Sequence, residues 1–71
     1  MSDWISVNDR LPEDEERYKG RRQIDVLVCT QKGLVTKVRR YYDALWEFWE
    51  WGRIDSSIVV AWMHLPEPYK E

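Results

Sequence analysis

The sequence predicts a mostly β fold: a small antiparallel sheet of three or four strands, clamped by the N- and C-terminal segments. Three observations carry this. Residues 24–30 and 34–42 alternate in the two-residue period of half-buried strands. A short link with a glycine, residues 31–33, joins them as a hairpin loop would. The aromatic and β-branched residues that favour strands then recur in residues 45–51 and 58–63.

In chain order, "WISVNDRL" (residues 4–11) is an apolar-polar mixture in which Ile5 and Val7 alternate with Trp4 and Ser6, as in a short extended segment. Residues 12–23 carry an acidic block, 13–16, and then a basic one, 17–22. One short helix near residues 12–19 has the right punctuation, with Pro12 to open it, carboxylates in its first turn and Gly20 to close it. Almost no apolar face runs through the stretch, so a solvated loop or frayed turn is the preferred reading, and no function is assigned to it.

"IDVLVCT" sets Ile24, Val26 and Val28 on one face and Asp25, Leu27 and Cys29 on the other. Its partner strand sets Val35, Lys37, Arg39 and Tyr41 on one face, expected to be wet, and Leu34, Thr36, Val38, Arg40 and Tyr42 on the other. Asp43 and Ala44 form a plausible turn, for which glycine at Ala44 would be a stronger signal. "LWEFWEW" (residues 45–51) fits a strand with Leu45, Glu47, Trp49 and Trp51 on one side and Trp46, Phe48 and Glu50 on the other. A helix would also align Leu45, Phe48 and Trp49, but the segment is short, closed by Gly52 and rich in strand-favouring aromatics. Residues 52–57 are a loop. "IVVAWM" is the last strand, with Ile58, Val60 and Trp62 opposed to Val59, Ala61 and Met63, before Pro66 and Pro68 end any ladder.

The 71 residues make a single domain, residues 1–71. A chain this short buries only roughly 60% of the surface its unfolded form exposes, so small domains usually need staples or very large core residues. Cys29 is the only cysteine and His64 the only histidine, which leaves no intrachain disulfide and no zinc site of the usual four side-chain ligands. Five tryptophans, four tyrosines and one phenylalanine are the available device, together with self-association. Eleven basic against thirteen acidic residues, net −2, do not describe a duplex-DNA binder. Neither a signal peptide nor an apolar run of membrane-spanning length is read from the sequence; the expectation is a cytoplasmic protein of a bacterial host cell, without membrane contact, in which Cys29 is a reduced, small core residue.

Two stretches together resemble a known signature. "WISVNDRLP" (residues 4–12) and "AWMHLPEP" (residues 61–68) are similar to the ends of a small phage and prophage family of unknown function, DUF551, whose members typically open W-I-S-V-x-(D/E)-R-L-P and close T-H-W-M-P-L-P-E-P. Between them "VLVCT" matches a V-L-V-Y-T-like strand, and "RRYYDA" loosely matches a G-Y-Y-(D/N)-G turn. Val60-Ala61 stands where the family often has Thr-His, His64 where it often has Pro, and residues 13–22 look like an insertion relative to compact members. The resemblance implies an accessory protein of phage or prophage and brings no catalytic residues.

With no second sheet to cover a face, the terminal motifs are expected to act as clamps, Trp4, Ile5, Val7 and Leu11 at one end and Trp62, Met63, Leu65, Pro66 and Pro68 at the other. No enzyme is expected: Cys29 sits in an apolar strand and His64 in a proline-rich tail, and three scattered glycines make no phosphate loop. No cofactor, metal ligand or catalytic residue is assigned. The candidate binding residues are Lys37, Arg39, Tyr41, Trp46, Trp49 and Trp51: the next strand sets either Trp49 and Trp51 or Trp46 and Phe48 beside the cations, and cations interleaved with aromatics suit an anionic, stackable, nucleotide-like ligand. The competing structural account is a cation packed on a tryptophan within the fold, with Glu47 pairing to Arg39. The expected function is therefore a non-catalytic binding module recognising a host macromolecule or small anionic signalling ligand through this basic-aromatic face. The alternative is a regulatory or structural protein-interaction module, a homo-oligomer without a small ligand.

Overall fold

The computed structural model describes residues 3–66. Five antiparallel strands form one sheet: β1 (Ile5–Ser6), β2 (Gln23–Thr30), β3 (Val35–Asp43), β4 (Phe48–Trp51) and β5 (Val59–His64), in the spatial order β1-β5-β2-β3-β4. The mostly β, antiparallel expectation holds, and the fifth strand comes from the N-terminal motif, which pairs Ile5 with Trp62 and Ser6 with Ala61. The two end motifs thus meet as neighbouring strands at one side of the sheet, where a clamp over a face was expected. Leu65 and Pro66 are exposed, Met63 points to the opposite face from Trp62, and Pro68 lies outside the described residues.

The central pair follows the sequence alternation. Ile24, Val26 and Val28 are buried, and they face Arg40, Val38 and Thr36 across the β2–β3 ladder. Gly33, at φ +87°, supplies the left-handed residue of the link, which closes through Thr30 N–H to the Leu34 carbonyl at 2.9 Å.

Two irregularities depart from strict alternation. Along β5, Val59 lies opposite Thr30 and Ala61 opposite Cys29, so Val60 is an extra, bulged residue. The bulge puts both Val59 and Trp62 on the core face, where the expected pattern separated them, and Val60 is exposed. Its carbonyl accepts the Val7 N–H at 3.2 Å.

The second irregularity is the β3–β4 connection. Residues 44–47 are a turn, not the start of a strand. The Asp43 carboxylate accepts N–H bonds from Leu45 (3.0 Å) and Trp46 (3.3 Å), and Glu47, at φ +58°, donates its own N–H to the Asp43 carbonyl at 2.7 Å. The left-handed position therefore falls at Glu47 instead of Ala44.

Among the described residues no second sheet lies over the core face. It is covered by the segment between β1 and β2, which folds as two short 3-10 turns, Pro12–Asp14 and Glu16–Tyr18. The expected solvated loop is corrected here. Pro12 is fully buried, and Leu11 and Tyr18 pack on the core beside Ile5 and Val7. Three polar links fasten this cap. The Trp62 indole N–H donates to the Arg10 carbonyl at 2.8 Å. The Tyr18 hydroxyl lies 2.6 Å from His64 Nδ1. The Arg40 guanidinium donates to both oxygens of Glu13 at 3.0 and 2.9 Å, and its plane centre lies 4.6 Å from the Trp51 ring. Arg40 is therefore a buried cation with a bidentate carboxylate on one side and an indole face on the other.

A buried ion pair contributes little net stability over an apolar pair of the same shape, but losing one partner leaves a desolvated charge behind. The side chains of Arg40 and Glu13 are only 8% and 15% exposed, whereas those of Arg39 and Asp25, paired on the opposite face, are 57% and 37% exposed. Glu13→Ala is expected to lower the unfolding free energy by about 3 kcal/mol or more, and Asp25→Ala by less than about 1 kcal/mol. Denaturant titration of both variants measures the difference; equal, small effects would show that the cap is not held through Arg40.

Candidate functional site

Among the described residues, no segment covers the face of the sheet opposite the cap. Pairing places its residues in rows across the strands: Met63, Leu27 and Lys37; then Ala61, Cys29 and Val35; and towards β4, Asp25 with Arg39 and Tyr41 with Glu50. The wet Lys37 and Arg39 face expected from the sequence is present, with both side chains exposed. Cys29 also belongs to this face and is half-buried there, which corrects its placement in the core. His64 shares the core face with Trp62 and Val26, so the sheet separates it from Cys29.

Towards β4 the face deepens into a cleft of about 400 Å³, lined by Asp25, Lys37, Arg39, Tyr41, Gly52 and Arg53 together with Val38. Gly52 makes the cleft possible. Its N–H donates to the Arg39 carbonyl at 2.8 Å, and a Cβ there would lie 3.1 Å from that oxygen and 3.6 Å from the Tyr41 ring. The chain then turns at Arg53, held at φ +63°, at the mouth of the cleft.

The charges in the cleft differ in how far they are committed. Arg39 is engaged, donating to Asp25 at 3.0 Å and to the Gln23 side chain at 3.4 Å. Glu47 is not its partner. Lys37 and Arg53 have no ion-pair or hydrogen-bond partner for their side chains among the described residues. The Tyr41 hydroxyl donates to Glu50 at 2.8 Å, and that bond to a carboxylate, with partial burial, holds the phenol above its ordinary range and keeps it protonated. Three cations against the single carboxylate of Asp25 line the cleft, so its lining carries net positive charge although the chain as a whole is acidic, with Glu50 just outside it at the Tyr41 hydroxyl.

The six candidate residues do not converge as a set. Lys37, Arg39 and Tyr41 line the cleft. Trp46 stands in the β3–β4 turn, 67% exposed. Trp49 and Trp51 lie on the core face: Trp49 is half-buried edge-on to Tyr42, with ring centroids 5.7 Å apart, and Trp51 is buried beneath Arg40. The aromatic that β4 presents to the bare face is Phe48, 46% exposed, with Glu50 next to Tyr41. Sequence reasoning passed over Asp25, Gly52 and Arg53. The available signal was the Gly52-Arg53 pair directly after β4, where a glycine stop leaves a cation at the strand end.

A second, wider groove of about 750 Å³ opens at the β1–β5 side of the sheet, with Trp4, Arg10, Arg17, Met63 and His64 among its walls. Its cations are engaged: Arg10 pairs with Glu15 and Asp9, and Arg17 lies 6.0 Å from the Tyr18 ring centre. Burial lowers the His64 pKa; Arg17 and Arg10 lower it further, while Glu15 acts in the opposite sense. Among the described residues no cluster of three or more His, Cys, Asp or Glu side chains could hold a metal ion, and no helix is long and apolar enough to cross a membrane.

The fold and the bare face define a small one-sheet β domain with its own segment capping one side and a cationic cleft on the other. The chain belongs to the DUF551 family: the family model described as "Protein of unknown function (DUF551)" matches residues 3–70. No curated protein and no solved structure matches the chain.

His64 gives a pH signature to the cap. Its folded pKa lies below the ordinary value of 6.5, so on acidification the unfolded chain takes up the proton first. Stability contributed by the neutral ring is complete above 6.5 and is lost as pH falls from there through the lower folded value. Melting midpoints measured across this window should fall with pH in the wild type and flatten in His64→Gln. An unchanged slope in that variant would remove His64 from the account.

Proposed function

We propose that this domain is a non-catalytic binding module that holds a small anionic ligand of the nucleotide class, a phosphate with a stackable ring, in the cleft between β3 and the residues after β4. The observation that carries this reading is the pair of uncommitted cations, Lys37 and Arg53, on the walls of one cleft that Tyr41 also lines. Two cations without internal partners are ready to accept phosphate oxygens, and the tyrosine supplies a flat apolar surface for a base. Arg39, already held by Asp25 and Gln23, adds positive potential at a fixed position.

The proposed setting is an accessory role in phage or prophage, with a ligand or partner in the cytoplasm of a bacterial host; it rests on the likeness of the two end motifs to those of phage and prophage proteins, since the family itself is one of unknown function. A second reading, recognition of a protein partner, draws on a different observation: Leu45, Trp46 and Phe48 are all exposed around the β3–β4 turn. Large aromatic and aliphatic side chains grouped on a surface are typical of interfaces.

Titration of the labelled protein with a panel of mono-, di- and triphosphate nucleotides, followed by amide chemical shifts, tests the ligand reading. The expected result is saturable shifts at Lys37, Arg39, Tyr41 and Arg53, weakened by salt. Lys37→Ala and Arg53→Ala are each expected to weaken binding by about ten-fold, the loss of one charge-assisted hydrogen bond. Shifts confined to residues outside the cleft, or none with any nucleotide, would overturn the reading.

A further inference from the structure

Among the described residues the sheet ends at β4, whose one neighbour there is β3. The direction of its backbone groups follows from one bond. The Gly52 N–H donates to the Arg39 carbonyl, so this pair faces inward. Antiparallel ladders alternate bonded and non-bonded pairs; Glu50 with Tyr41 and Phe48 with Asp43 are then bonded pairs, and Trp51 with Arg40 and Trp49 with Tyr42 are not. Tyr42 agrees, because its N–H goes the other way, to the Arg22 carbonyl at 2.9 Å. The N–H and C=O groups of Trp49 and Trp51 consequently point outward from the sheet edge.

This edge is protected only by its short length and by Glu50. β4 contains no lysine, proline or bulge, and its only limits are the two left-handed residues beyond its ends, Glu47 at φ +58° and Arg53 at φ +63°. The opposite edge, β1, is only two residues long. Leu45, Trp46 and Phe48 border the β4 edge and are exposed.

We propose that β4 pairs antiparallel with β4 of a second copy of this chain, about a two-fold axis at Glu50. In that register Trp49 of each copy lies opposite Trp51 of the other, and four reciprocal backbone bonds satisfy every outward group of the two residues. The same register carries Glu47 of each copy to Arg53 of the other, giving two opposite-charge pairs at the ends against one Glu50–Glu50 contact at the centre. The neighbouring registers that keep both faces aligned set Trp49 against Trp49 or Trp51 against Trp51. Each of those makes one reciprocal pair of bonds and parts Glu47 from Arg53. Self-complementary backbone bonding and charge at the same register single out a second copy as the occupant of this edge. The inference shares Arg53 with the nucleotide reading, in which the same side chain lines the cleft, but it needs no ligand, so its test uses the ligand-free protein.

Sedimentation equilibrium of the ligand-free protein over a wide concentration range tests it, with circular dichroism to confirm that each variant is folded. The wild type is expected to show a monomer–dimer equilibrium. Glu47→Arg and Arg53→Glu are each expected to weaken it by about ten-fold, and the double charge swap to restore it, since each copy then again offers opposite charges. Glu50→Gln should tighten it by about two- to five-fold, through removal of the central like-charge contact. Trp49→Pro deletes an outward N–H without touching the bonds to β3 and should weaken association more than Trp49→Ala. A monomer at every concentration would overturn the proposal, as would single reversals that associate like the wild type or a charge swap as weak as either single variant.

Discussion

The structure depends on one buried cation. Arg40 occupies a core-facing position of β3, where alternation would ordinarily place an aliphatic side chain, and its charge is satisfied by Glu13 from a different part of the chain and by the face of Trp51. A single sheet of this size must cover one face or leave its valines in water. The segment between β1 and β2 has few apolar side chains with which to do so. It reaches the sheet through Leu11, Pro12 and Tyr18 and is fixed there by directional contacts, the Glu13 carboxylate to Arg40 and the Arg10 carbonyl to the Trp62 indole. Geometry replaces area in this cap.

That arrangement also accounts for the aromatic content. Trp62 and Trp51 are the broad elements of the core, and each serves as a platform for a polar group: His64 packs edge-on against Trp62 with centroids 5.2 Å apart, and Arg40 lies over Trp51. Trp49 continues the layer to the sheet edge against Tyr42, over whose ring the Arg22 guanidinium lies at 5.3 Å. Trp46 stands outside the core altogether. The indoles of "LWEFWEW" thus divide between holding the fold and facing outward, and the dividing point is the left-handed Glu47.

Much of the sheet was legible in the sequence, because period-two patterning in β2 and β3 assigns each side chain to a face whatever its neighbours do. The bulge at Val60 was not legible: one extra residue leaves composition unchanged and reverses the faces on either side of it. The cap was hidden for a different reason. Its charged residues read as solvated until a partner is known, and the partner of Glu13 lies 27 positions away on β3. In the cleft, Lys37, Arg39 and Tyr41 were found from alternation alone. Arg53 lies beyond the strand, where alternation does not reach: the glycine before it marks the strand end, but its place on the cleft wall follows from the close approach of Gly52 to the Arg39 backbone, a tertiary fact. The sequence allows either Trp49 and Trp51 or Trp46 and Phe48 beside the cations, and only the pairing register decides: Phe48 shares their face, while Trp49 and Trp51 lie on the other side.

A cap held by directional contacts to the core should not separate from the sheet without the whole domain opening. The indole N–H of Trp62 reports on this directly, because it is bonded to the cap itself at the Arg10 carbonyl. Native-state hydrogen exchange comparing that proton with the amides of Val26 and Val28 is the decisive measurement. Equal opening free energies, with the indole proton as slow as the β2 amides, are the predicted result. An indole proton that exchanges orders of magnitude faster while β2 stays protected would mean that the cap detaches by itself and that Arg40 does not hold the fold together.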